Sequence, residues 1–233
     1  MADWAPFATR RPGPAWKVGY SHVGEESPKR GDTKHSAEGW RAGLYSELDG
    51  PNPKSWQFTV GLDWLEQHYP FRANCYHAGD ADDDGGVAAN IDLVGIEHIG
   101  KAGTPLNDYQ VAATVKITRW CAEQEGLRRF ALYPQQEGVW TLVEHNQVSD
   151  RYTACPSGRI PWAAITNALY AEEDDMAELV QERGKRFIWV VAGNWKRYLH
   201  KMADADELGI SRKVKKVAAG TLNSLGRADQ GRW

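Results

Sequence analysis

The sequence predicts an α/β fold, a central mixed β-sheet flanked by helices, followed by a small basic C-terminal module that contains a hairpin. Three observations lead there. Residues 91–99 (IDLVGIEHI) form a continuous apolar run of the buried-strand type. A segment with apolar residues at helical spacing follows after Pro105, so that helix should pack on the sheet that holds the strand. Residues 55–60 (SWQFTV) alternate large and polar side chains, and a turn at 61–63 leads to a second β-prone stretch at 65–69.

Taken in order, residues 1–30 are rich in Pro, Gly and charge and read as an extended arm with one strand at 16–23 (WKVGYSHV). His35 follows the polar run SPKRGDTK, where an apolar strand would be expected, and residues 36–48 open a helix. Residues 76–90 (YHAGDADDDGGVAAN) hold too much Gly and Asp for regular structure and read as a loop. Asp80, Asp82 and Asp84 before Gly85 mimic the start of a calcium loop, but Ile91 stands where the bidentate glutamate belongs, which favours a solvated acidic loop. Thr104-Pro105 starts a helix whose inward face carries Tyr109, Ala113, Ile117, Trp120 and Cys121. A short strand at 128–134 precedes the His145 region, and Pro161 opens a helix with Trp162, Ile165 and Leu169 inward. The acidic run 172–184 either continues that helix or links to the tail. Two β-prone runs around a Gly-Asn turn at 193–194 predict a hairpin, then a short helix near 203–208 and a weakly structured basic end.

Composition sets the limits. With 42% hydrophobic and 25% charged residues the chain is of ordinary globular type, and 233 residues suffice for one sizeable core and a smaller module. No apolar run approaches the roughly 18 residues of a membrane span, and the N-terminal stretch has no apolar core of a signal peptide. Three cysteines are too few for a disulfide framework. Charge is uneven: residues 1–182 hold 16 Lys/Arg against 27 Asp/Glu, whereas 183–233 hold 12 against 4. The domains expected are therefore 1–171 (with the arm 1–30), a linker or helix extension at 172–182, and a basic module at 183–233. An acidic body and a basic tail suggest different partners.

Chemistry is suggested by histidine and cysteine. A catalytic zinc takes three His/Cys/carboxylate ligands and keeps one open position. His35, His145 and Cys155 supply that count, although seven histidines and three cysteines offer many trios. Cys75 and Cys121 read as core. His98, next to Glu97 in a strand, should point to the opposite face.

The ordered motifs HSAEG (35–39), SWQFTVGLD (55–63), YHAGD (76–80), NIDLVGIEH (90–98), TPLNDYQ (104–110) and H-x9-CP (145–156) resemble zinc-dependent N-acetylmuramoyl-L-alanine amidases of the peptidoglycan-recognition-protein type, most of all endolysins of actinobacterial phages. The resemblance covers about residues 30–170. It implies a zinc groove at the sheet's edge with His35, His145 and Cys155 as ligands, Glu97 as general base and Thr153 as oxyanion donor. Trp56 falls where some members carry a catalytic Tyr; Trp56 and His77 are the candidate substrate contacts, although a tryptophan such as Trp56 is more often core than a sugar-stacking platform and His77 reads equally as a loop histidine supporting the fold. The implied substrate is peptidoglycan, and the implied setting is the host cytoplasm until release to the wall. The basic tail, with Trp189, Trp195 and Tyr198, would grip an anionic cell-envelope polymer; nucleic acid is the less favoured partner. Two other classes stay open: a non-catalytic peptidoglycan-recognition module, against which Cys155 counts, and a wall glycosidase using carboxylates such as Glu38 and Glu97.

Overall fold

The computed structural model describes residues 3–19, 22, 24–79, 88–175, 178–182, 188–192, 195–199, 214–217 and 226–227, with side chains described up to residue 170. The chain divides into two compact units, Met1–Thr166 and Asn167–Trp233.

The first unit is built on a seven-stranded sheet. Its strands are β1 (Thr9–Arg10), β2 (Gly31–Ser36), β3 (Phe58–Val60), β4 (Leu65–Gln67), β5 (Leu93–His98), β6 (Phe130–Leu132) and β7 (Trp140–Glu144), in the order β1-β4-β3-β5-β2-β7-β6. β3 and β4 pair antiparallel across the Gly61–Trp64 turn, and the remaining pairs are parallel, which makes the sheet mixed as expected. Two longer helices flank it, α1 (Arg41–Asp49) and α3 (Asp108–Gln124), while α2 (Ala89–Asp92) and α4 (His145–Val148) are single turns at strand ends. α5 (Trp162–Asp175) crosses the boundary between the units.

β2 shows why sequence periodicity missed a central strand. Its residues GDTKHS are polar, yet all six are buried. On one face Lys34 Nζ donates to Asp32 and to Thr118 Oγ1 (3.2 Å) of α3, and Asp32 Oδ2 accepts from Thr118 Oγ1 (2.6 Å) and from the Trp140 indole (3.0 Å). A buried ion pair is tolerable only when its remaining lone pairs and protons find partners, and here they do. Burial lowers the Lys34 pKa while Asp32 opposes that shift. α1 packs Leu44 and Leu48 into a separate cluster with Val18, Trp56, Tyr69, Ala73, Cys75 and Ile99.

Several expectations are revised. The arm has no strand over its described part of 16–23: Ala15–Lys17 is a 3-10 turn and Val18 makes an isolated bridge to Cys75. α3 begins after Asn107, not at Thr104-Pro105, because Asn107 and Gln110 form a reciprocal capping box. Ala113, Ile117 and Cys121 are buried as expected, but Tyr109, in the first turn, is 40% exposed. The calcium-like loop falls on residues 80–87, outside the described residues.

The second unit holds a five-stranded sheet of β8 (Glu178–Glu182), β9 (Ile188–Ala192), β10 (Trp195–Leu199), β11 (Val214–Val217) and β12 (Gly226–Arg227), in the order β11-β8-β9-β10-β12. β9 and β10 pair antiparallel with Ala192 opposite Trp195, the register of the expected hairpin. Part of the acidic run is strand β8, and β11 lies in the segment expected to be weakly structured. The expected short helix at 203–208 lies outside the described residues.

Candidate active site

Parallel strands deliver their C-terminal ends to one rim, where ligands of open α/β sheets gather. β2 ends in His35 and Ser36, β5 in Glu97 and His98, and β7 runs into His145, the first residue of α4. His35 and Glu97 are register partners, so both side chains stand on the same face. His98 stands on the other face, its Nδ1 on the His35 carbonyl (3.0 Å) and its Nε2 on Thr114 Oγ1 (2.8 Å). Cys155 arrives from the loop after α4, held by the Asn146 N–H donating to its carbonyl (2.9 Å).

The ligand atoms of His35, His145 and Cys155 lie within 4.8 Å of one another. They gather at the ends of interior strands β2 and β7, not at the sheet's edge. Two imidazoles and one thiol are the donor set of a catalytic zinc and fit such an ion. Burial, reinforced by His145 and His77, holds the His35 pKa well below its ordinary value, and burial also lowers His145; both rings are neutral and able to ligate. Burial pushes the Cys155 thiol up to about 12, opposed by the Ser36 N–H that donates to its Sγ (3.1 Å). Metal binding here must therefore release the thiol proton.

Glu97 faces this cluster, with Oε1 4.0 Å from His35 Nδ1. Its side chain is 15% exposed, and among the described residues its Oε2 is buried without a hydrogen-bond partner. Burial raises its pKa to about 8, against the pull of Lys54 and Arg159. A carboxyl with one unpartnered oxygen and a raised pKa beside candidate metal ligands is suited to proton transfer. Thr153 Oγ1 accepts from the Cys155 N–H (3.2 Å), which leaves its hydroxyl proton to be donated elsewhere.

The other two predicted residues stand differently. Trp56 is 3% exposed in the core cluster, its indole donating to Thr59 Oγ1 (2.8 Å), which in turn bonds His68 Nε2 (2.8 Å). Buried among apolar side chains, Trp56 offers no face to a substrate, which corrects its assignment as a contact. His77 is partly buried beside His35, with Nδ1 3.1 Å from His35 Nε2. Burial lowers its pKa to about 3, so this ring too is neutral.

Sequence reasoning missed Arg159 and the reach of Glu38. Arg159 is 2% exposed and donates to Ser36 Oγ (2.8 Å) and to the carbonyls of His98 (3.0 Å), Ile99 (2.8 Å) and Thr104 (2.8 Å). Glu38 accepts from Ser36 Oγ (2.6 Å), the Ala102 N–H (2.9 Å) and Ser157 Oγ (3.4 Å). Those bonds outweigh its partial burial and lower its pKa, which ties Glu38 to the chain around Ser36, Ala102 and Ser157. A charged residue amid CPSGRIPW was the available signal for Arg159.

Fold and site together define a mixed-sheet α/β protein with a candidate three-ligand metal centre and an adjacent carboxyl. The profile of the N-acetylmuramoyl-L-alanine amidase family (Amidase_2) matches residues 19–158, and the chain belongs to this family of peptidoglycan hydrolases. A selenomethionine AmpD derivative is 18% identical with a TM-score of 0.54 over 72% of this chain and 96% of that one. The PlyG catalytic domain is likewise 18% identical, TM-score 0.50, over 70% and 93%. The amidase LysCS from Clostridium intestinale URNW is 15% identical, TM-score 0.46, over 73% and 97%. At these identities the likeness to AmpD and the PlyG catalytic domain shows the fold alone. No curated protein sequence matches the chain. Among the described residues, no helix is long and apolar enough to cross a membrane.

Proposed function

We propose that the protein is a zinc-dependent phage endolysin of an actinobacterial virus that hydrolyses the amide between N-acetylmuramic acid and the first L-alanine of the stem peptide. The observation that carries this reading is the convergence of His35, His145 and Cys155 within 4.8 Å beside the unpaired carboxyl of Glu97. Zinc held by those three residues would supply Lewis acidity, polarising the scissile carbonyl and lowering the pKa of a water from 15.7 to about 7.

The chain's own residues supply the remaining chemistry. Glu97 Oε2 takes the proton of the attacking water and returns it to the leaving alanine nitrogen. A cation at the adjacent ligands would draw the raised Glu97 pKa back down, so the base is charged when it is needed. The Thr153 hydroxyl donates to the oxygen that becomes negative in the tetrahedral transition state. The basic residues of 183–233 would hold the enzyme on an anionic cell-envelope polymer, and the protein would stay in the host cytoplasm until lysis.

Digestion of purified peptidoglycan tests the reaction. The amidase reading expects new L-alanine amino termini without new reducing sugar ends; reducing ends without amino termini would replace it with a glycosidase. Wall binding by the full chain and by a form lacking 183–233, compared at low and high salt, tests the anchor: equal, salt-insensitive binding would refute it.

A further inference from the structure

We infer that His77 is a positioning residue that fixes His35 with its proton on Nε2 and its lone pair on Nδ1, the nitrogen nearest Glu97. This inference rests on the zinc reading of the site. It follows from the inventory of donors. The Leu93 carbonyl can only accept, so His77 Nε2, 3.3 Å away, carries the ring's hydrogen. A neutral imidazole has one N–H, so His77 Nδ1 is an acceptor. The 3.1 Å contact with His35 Nε2 is then a hydrogen bond in which His35 donates. His35 keeps its lone pair at Nδ1, 4.0 Å from Glu97 Oε1.

The seat of His77 is built for this. Gly95 of β5 lies under the ring; a Cβ there would meet His77 Cγ at 2.8 Å. Asn90 Oδ1 accepts from the His77 and Ala78 N–H groups (2.9 Å each), and its Nδ2 donates to the Gly79 carbonyl (2.6 Å). Both ring nitrogens of His77 are thus engaged within the protein. That engagement turns the sequence expectation of a substrate contact into one of ligand orientation. A histidine ligand whose second nitrogen is hydrogen-bonded has a set tautomer and ring angle, and losing such a partner typically weakens metal binding about 10- to 100-fold.

Two measurements test it. Nitrogen-15 NMR of the metal-free full chain should show both His35 and His77 as Nε2–H tautomers; His35 found as Nδ1–H overturns the inference whether or not zinc binds. Zinc affinity, measured by competition with a chromophoric chelator, should fall about 10- to 100-fold in His77→Leu. His77→Asn, whose carbonyl oxygen can accept from His35, should recover most of that loss. With zinc saturating, KM for a muramyl-peptide substrate should be the same in wild type and His77→Asn. Unchanged zinc affinity with a raised KM would make His77 a substrate contact and overturn the inference. If wild type itself bound no zinc, the proposed function would fail instead, and the tautomer measurement would still decide the role of His77.

Discussion

Replacing Arg159 by methionine tests how the loop bearing Cys155 is held. The guanidinium is 2% exposed and bonds Ser36 Oγ, at the end of β2, and the carbonyls of His98, Ile99 and Thr104, at and beyond the end of β5. Methionine fills much of the stem's volume but removes the donor to four acceptors, of which the His98 carbonyl keeps the Ala37 N–H (3.0 Å) and the Ile99 carbonyl keeps Gln110 Nε2 (2.8 Å). Each hydrogen bond to a charged group is worth about 1.5–3 kcal/mol, yet the guanidinium no longer has to be desolvated, and such terms do not add. Leaving buried acceptors unsatisfied typically costs about 1–3 kcal/mol each, and with two of the four still paired a loss of about 2–4 kcal/mol is expected. Urea unfolding of full-length wild type, Arg159→Met and Arg159→Lys is the assay. A lysine places one compact charge where a planar fork made four bonds, so Arg159→Lys should recover a minor part. Zinc affinity should drop in parallel, because Ser36 also donates its N–H to Cys155 Sγ. A loss below about 1 kcal/mol in Arg159→Met, or full recovery by lysine, would show that the guanidinium fork does not hold this loop.

Glu97→Gln keeps shape but removes the base, so kcat should fall about 100- to 10,000-fold with zinc still bound; activity within threefold of wild type would remove Glu97 from proton transfer. Thr153→Val deletes the hydroxyl and should cost about 100- to 1000-fold in kcat, and an unchanged kcat would leave the oxyanion to other donors. Acid should destabilise the fold through His68, whose burial lowers its pKa to about 4 from 6.5 while its Nδ1 bonds the Arg11 carbonyl. The unfolded chain takes up that proton first, so this stability is complete above pH 6.5 and is lost as pH falls toward 4, with a ceiling of about 3 kcal/mol. His68→Gln should shrink the difference in urea midpoint between pH 7 and pH 4.5; an undiminished difference would assign the acid loss to other groups.

Legibility in the sequence followed burial. β5 was readable because its residues before Glu97 face apolar surroundings, and α3 because Ala113, Ile117 and Cys121 repeat at helical spacing toward the sheet. β2 was not, since Asp32 and Lys34 satisfy each other inside the fold and mimic a surface segment. The α3 start was displaced because Thr-Pro and Asn-x-x-Gln both signal a helix N-terminus, and the reciprocal bonds of Asn107 and Gln110 decide it. His35 and His145 lie far apart in sequence, and it was the order of six motifs, not any spacing, that singled out the trio the fold brings together with Glu97. Trp56 stood between core and substrate platform because an alternating strand does not say which side is covered, and its 3% exposure places it in the core. The partners of His77 and Arg159 depend on the close approach of Gly95 and Gly100, which no local pattern encodes.

If the proposed function is right, His35, His145 and Cys155 hold the metal that hydrolysis needs. Metal analysis of wild type and Cys155→Ser, paired with release of L-alanine amino termini from peptidoglycan, tests it most directly. Stoichiometric zinc and cleavage are expected in wild type and loss of both in Cys155→Ser; full cleavage by the metal-free wild type would show that the three residues do not hold a required metal.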